Sequence, residues 1–129
     1  MSTIQNFEDL SIYQKSCELA TQVYQITRLG EFKYDSRFVQ QIRASAGSVS
    51  DNIAEGFERQ GNKEFINFLF IAKGSCGELR SQINRAHTVG FIDDNTFTQM
   101  YSDCKRLSVA ILNMINSLKR SEIKGSKFK

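Results

Sequence analysis

The chain has 129 residues and a mass of 14.7 kDa, with 40% hydrophobic and 24% charged side chains, a composition that fits one folded domain and excludes a disordered segment. Proline is absent and glycine occurs only 8 times, which favours long helices over β-rich architecture. No apolar run approaches the roughly 18 residues of a membrane span, and the opening MSTIQNFEDL lacks a signal-like stretch. A soluble, cytoplasmic protein without membrane contact is expected.

The formal charge is +3, and its distribution says more than its size. Residues 1–60 carry 6 basic and 8 acidic side chains, whereas residues 61–129 carry 11 and 6. A polyanionic partner is therefore a candidate for the second half alone.

The first helix is expected over residues 10–29. Leu10, Tyr13, Cys17, Ala20 and Tyr24 recur at helical spacing, and Ile12, Leu19, Val23 and Ile26 widen the apolar face. Gly30 stands where a helix-ending glycine would, and Asp35 or Ser36 follows as the next N-cap. The second helix places Phe38, Ile42, Ala46, Val49 and Ile53 on one face and is expected to close at Gly56. Its middle, Ala44-Ser45-Ala46-Gly47-Ser48, is small enough to let another helix approach closely.

Asn62 reads as the cap of a third helix, in which Leu69, Ala72, Cys76, Leu79, Ile83 and Ala86 alternate at spacings of 3 and 4 up to Gly90. Asp93 caps a fourth, with a seam at Phe97, Tyr101, Cys104, Ser108, Ile111, Ile115 and Leu118. Short connections between long helices predict an all-α, antiparallel up-down-up-down four-helix bundle over residues 1–118. Residues 119–129, with Lys119, Arg120, Lys124, Lys127 and Lys129, read as a basic, frayed tail.

A second sector of the third helix, Ile66, Phe70, Gly74, Gly77 and Ser81, lies roughly 145° from the seam. A monomeric bundle would place charge there. Two large apolar groups followed by small ones fit a subunit interface better than an imperfect amphipathic face, so a homo-oligomer is expected.

The chain offers little for metal or redox chemistry. His87 is its one histidine, with Asn84 rather than glutamate three residues before it, and no four-ligand zinc spacing occurs. Cys17, Cys76 and Cys104 form no CxxC pair and fit small core hydrophobes. No phosphate-binding glycine loop and no nucleophile–base arrangement is present. No cofactor, no metal and no enzymatic activity are expected.

One polar constellation stands out. Gln41, Ser48, Asn52, Glu55 and Arg59 form a ladder beside the apolar stripe of the second helix, with Arg43 and Glu78 as candidate partners. A hydrogen-bonded network that fixes helix register is preferred over a ligand site, since a buried unsatisfied polar group costs ~1–3 kcal/mol. Acid–base catalysis by Glu55 and Glu78 is the weakest alternative.

At this ladder the chain resembles a known family. Phe7-Glu8-Asp9-Leu10-Ser11-Ile12-Tyr13-Gln14-Lys15, Gln41-Ile42-Arg43 through Asn52-Ile53-Ala54-Glu55-Gly56, Lys63-Glu64-Phe65 and Ala72-Lys73-Gly74-Ser75-Cys76-Gly77-Glu78-Leu79 are similar to the four helix bundle protein family, also called the 23S rRNA-intervening-sequence protein family. The resemblance spans roughly residues 7–118, and Asn-Ile-Ala-Glu-Gly with Arg59 after it is the most specific element. Where the family often has prolines, this chain has Gly30-Glu31 and Ser50-Asp51.

The resemblance implies an antiparallel bundle that assembles as a ring, commonly a pentamer, with no established enzymatic activity. Some members are encoded inside intervening sequences of ribosomal RNA genes. A related protein is the accessory subunit of diversity-generating retroelements, which binds nucleic acid and a reverse transcriptase. A nucleic-acid partner, RNA before DNA, is thus expected at Lys73, Arg80, Lys105, Arg106, Lys119 and Arg120. A protein-binding scaffold, for example for a reverse transcriptase, is the alternative.

Overall fold

A computed structural model describes the backbone of residues 4–127 and the side chains of residues 4–121. Four helices form: α1 (Ser11–Ile26), α2 (Ser36–Glu58), α3 (Asn62–Thr88) and α4 (Asp94–Lys127), with 3-10 turns at Phe7–Asp9 and Phe32–Tyr34. α3 packs on both α2 and α4, while α1 lies mainly on α2 and touches α4 less. Cross-helix contacts fix the directions. Ser48 meets Ser75 and Gly56 faces Phe68, while Cys76 meets the Cys104 carbonyl and Lys119 lies over Phe70, so α2 and α3 run antiparallel, as do α3 and α4; Arg43 reaches Thr27 at the end of α1.

The core follows the seams. Phe38, Ile42, Ala46, Val49 and Ile53 of α2 are buried, as are Leu69, Ala72, Cys76, Leu79, Ile83 and Ala86 of α3. On α4 the seam is shifted: Met100, Cys104, Leu107, Ile111 and Ile115 are buried, whereas Phe97, Tyr101, Ser108 and Leu118 flank them. α1 turns its second apolar set inward, burying Ile12, Leu19 and Val23 beside Ser16. Tyr13, Cys17 and Ala20 are only half-buried, and Tyr24 is exposed. Ser16 is accommodated because its hydroxyl donates to the Ile12 carbonyl at 2.6 Å.

The punctuation differs from expectation in three places. α1 stops at Ile26, followed by Thr27, whose hydroxyl donates to the Val23 carbonyl at 2.7 Å; Gly30, with φ +56°, shapes the turn beyond. Asn62 is the first residue of α3 and not its cap. Gly61 is the cap, its carbonyl accepting from the Phe65 N–H at 2.9 Å. Asp35 and Asp93 do act as caps, accepting from Phe38 N–H at 3.2 Å and Thr96 N–H at 2.8 Å. α3 closes in a Schellman turn: Phe91 N–H bonds to Ala86 O, Gly90 N–H bonds to His87 O, and Gly90 has φ +86°. α4 continues past Leu118 to Lys127, and the side chains of Lys124, Lys127 and Lys129 lie outside the described residues.

The third difference concerns Gly56, which lies inside α2 and does not end it. A Cβ there would stand 2.6 Å from Phe68 Cβ and 3.1 Å from the Phe65 ring. Glycine is required because α3 leaves no room for a Cβ at this point of α2, just before the chain reverses. Phe68 Cβ is tied directly to the α3 backbone and cannot swing aside. Gly56→Ala is therefore expected to destabilise the fold by about 1–3 kcal/mol through overpacking, read as a lowered urea midpoint with helicity retained. Unchanged stability would contradict the close approach.

Candidate nucleic-acid interface

The polar ladder of α2 divides into separate clusters. Ser48 Oγ lies 2.8 Å from Ser75 Oγ of α3, and Asn52 Nδ2 donates to the Ser48 carbonyl at 2.7 Å and to its hydroxyl at 3.0 Å. This cluster ties α2 to α3 at mid-length. One turn and more away, Arg59 pairs with Glu55 at 2.9 Å and approaches Glu64 at 3.7 Å, with all three side chains at least half exposed. Such a pair holds the α2–α3 corner only weakly.

Neither expected partner joins the ladder. Arg43 turns the other way, donating from Nε to Thr27 Oγ1 at 3.0 Å and lying 4.4 Å over the Tyr24 ring, so it ties α2 to the end of α1. Its long stem reaches across a helix boundary that residue spacing does not reveal. Glu78 is exposed and lines an open α2–α3 groove with Gln41, Ser45, Gln82 and Arg85, without a hydrogen bond to the ladder. Glu55 and Glu78 therefore form no carboxylate pair.

The α3 sector also changes. Ile66 is 7% exposed and belongs to the core of its own bundle. α4 is long enough to reach the first turns of α3, as the position of Lys119 over Phe70 shows. Phe70, Gly74, Gly77 and Ser81 remain on the outside, Phe70 at 45% exposure. A Cβ on Gly74 or Gly77 would meet nothing within 4 Å, so no helix of this chain requires either glycine.

Beside that sector, the valley between α3 and α4 gathers cations around aromatic rings. Arg80 Cζ and Lys105 Nζ lie 5.6 Å and 5.9 Å from the same Tyr101 ring, and Lys119 Nζ lies 5.2 Å from the Phe70 ring. Lys73 precedes Arg80 by two helical turns on the same flank of α3. Of the described carboxylates on these helices, Glu64 is directed toward Arg59, Asp94 to His87 at 2.7 Å, Asp103 to Arg106 at 3.2 Å, and Glu78 lines the α2–α3 groove. Arg106 thus leaves the strip, bordering a cleft between α1 and α4 with Lys15 and Glu18. Arg120, one residue beyond Lys119, points roughly 100° away from it.

Beneath the strip sit two thiols. Cys76 Sγ donates to the Cys104 carbonyl at 3.3 Å, and the contact with Cys76, reinforced by burial, pushes the Cys104 thiol well above its ordinary range. Both act as core groups, while Cys17 is half-buried on α1. Among the described residues no cluster of three or more His, Cys, Asp or Glu side chains could hold a metal ion, and no helix is long and apolar enough to cross a membrane.

A family model described as 23S rRNA-intervening sequence protein matches residues 8–115. The chain belongs to that family. This 23S rRNA-intervening sequence family member is also similar in structure to a protein of unknown function from the S23 ribosomal protein family of Bacteroides thetaiotaomicron. The two are 22% identical with a TM-score of 0.75, covering 81% of this chain and 95% of that one, a likeness that shows the fold. No curated protein matches the chain.

Two of the ladder's members should now separate in a stability measurement. Asn52→Ala removes a half-buried donor that serves Ser48 and is expected to cost about 1 kcal/mol. Glu55→Ala removes an exposed i,i+4 pair and should cost about 0.3–0.5 kcal/mol. Urea denaturation of both variants checks this, and equal losses would contradict the division of the ladder.

Proposed function

We propose that the protein is a non-enzymatic, ring-forming bundle that binds structured nucleic acid, RNA before DNA, along the α3–α4 valley. The observation that carries this reading is the convergence of Arg80 and Lys105 on the Tyr101 ring, with Lys73 two turns along the same flank of α3 and Lys119 further along α4. Phosphates are matched by the cations and exposed base faces by the rings. The family's description, which refers to an intervening sequence of 23S rRNA, agrees with an RNA partner.

Assembly gives the strip its strength. A +3 chain has a modest field, whereas a ring repeats the strip at fixed spacing and converts weak contacts into avidity. The exposed sector of Phe70, Gly74, Gly77 and Ser81 supports assembly, because each helical glycine costs ~1 kcal/mol relative to alanine and nothing in the subunit uses the space. Close approach of a neighbouring copy would offset that loss. The family resemblance favours a pentamer.

A second reading is a protein-binding scaffold. Its support is the apolar exposure of Phe70, Ile71, Val109 and Leu112 at 45%, 52%, 58% and 38% on α3 and α4. A pull-down that retains a protein partner after nuclease treatment, with no RNA bound by the purified protein, would favour it over RNA binding.

Two measurements check the proposal. In fluorescence titrations of an RNA hairpin at two salt concentrations, Lys73→Glu with Lys105→Glu should weaken binding and reduce the slope of log K against log salt by about two. Failure of the wild type to bind at low salt would overturn RNA binding. Separately, light scattering should find a homo-oligomer for the wild type and a folded monomer for Phe70→Glu. The new carboxylate would lose its water at an interface but stays hydrated in the free subunit. A wild type that is monomeric at micromolar concentration would overturn the ring.

A further inference from the structure

Two thiols face each other where α3 meets α4, and nothing in the proposed function uses them. Cys76 Sγ lies 3.3 Å from the Cys104 carbonyl oxygen, and the two thiols are themselves in hydrogen-bonding contact. Both side chains are 1% exposed. Ala72 of α3 and Ser108 of α4, one turn from each cysteine, are small, so no bulk holds the helices apart on that side of the pair. An S–S bond of about 2 Å therefore needs rotation of neighbouring side chains and not the transport of one helix to another. The third cysteine, Cys17, lies on α1 beside Tyr13.

The surroundings make the two thiols unequal. The Cys104 thiol donates to a Cys76 thiolate, and Arg80 and Lys73, one turn to either side of Cys76, add positive charge. Together they hold the Cys76 thiol below its ordinary range against the opposing effect of burial. The same contact, with burial, keeps Cys104 a protonated thiol. One sulfur that ionises beside a second held in reserve is what stepwise oxidation requires, whereas two inert core hydrophobes need neither the contact nor the cations.

We propose that Cys76 and Cys104 form a reversible disulfide under peroxide, a redox staple that joins α3 to α4 at mid-length. The Cys76 thiolate attacks the peroxide: an S–O bond forms, the O–O bond breaks and hydroxide leaves, giving a sulfenic acid. The Cys104 sulfur then attacks the Cys76 sulfur. The S–S bond forms as the S–O bond breaks, and the departing hydroxide takes the Cys104 proton as water. Two thiols are oxidised to one disulfide while one peroxide is reduced to water. Only a small oxidant reaches sulfurs this buried, by local opening of the α3–α4 packing, and a dithiol reductant reverses the step. The staple links cysteines 28 residues apart, which restricts the unfolded chain and stabilises the bundle. It stands independently of RNA binding.

The test exposes the folded, full-length wild type and Cys104→Ser to hydrogen peroxide, followed by thiol alkylation and peptide mapping by mass spectrometry without reductant. The wild type should yield a Cys76–Cys104 cross-linked peptide within one chain and a raised urea midpoint that dithiothreitol returns to its starting value. Cys104→Ser should stop at a Cys76 sulfenic acid, captured by dimedone. Circular dichroism checks that this variant folds, and the wild-type map stands without it. Cys76 and Cys104 recovered as alkylated thiols, at a peroxide dose that oxidises free cysteine, would overturn the staple. A link to Cys17, a link between chains, or one that forms only in urea would overturn it equally.

Discussion

The position of α3 between α2 and α4 is the constraint on which the rest of the structure depends. Its inner flank is occupied by Leu69, Ala72, Cys76, Leu79 and Ile83, so α2 and α4 must run along either side of it. On the α2 side no Cβ fits at Gly56 against Phe68, and the helices are held further along by the Ser48–Ser75 contact. On the α4 side Cys76 meets the Cys104 carbonyl. Every other group on α3 is then assigned by elimination of space. Lys73 and Arg80 fall on the α4 margin, and Gly74, Gly77 and Ser81 fall on the outside.

That placement links the two halves of the proposed function. The same helix carries the small residues through which a neighbouring copy can approach and the cations that a polyanion requires. The two strips share an edge at Phe70, which is half-exposed and already covered on one side by Lys119. In the proposed arrangement Phe70 belongs to the assembly side, and Tyr101 with Arg80 and Lys105 to the binding side.

Much of this architecture is legible in the sequence because strict helical periodicity leaves few alternatives. The seams of α2 and α3 are those the spacing predicts, and Asp35, Asp93 and Gly90 terminate helices as their chemistry suggests. α1 shows the limit of such reasoning. Two overlapping apolar sets compete for its inner face, and only contact with α2 and α4 selects Ile12, Leu19 and Val23 over Tyr13, Cys17 and Ala20. Gly56 carries a second lesson. A glycine near a helix end reads as a stop, yet here it answers a contact with Phe68, which is distant in kind from any local signal. Long side chains defeat spacing altogether: Arg43 sits among the ladder residues in sequence and bonds to Thr27 on another helix.

The central claim is that RNA lies in the α3–α4 valley, and the most direct measurement is ultraviolet cross-linking of a bound RNA hairpin to the full-length protein with the adducts mapped by mass spectrometry. Tyr101 stands between Arg80 and Lys105 and should carry a nucleotide adduct. Adducts confined to Tyr13 and Tyr24 on the α1 face, with none on Tyr101, would contradict the account.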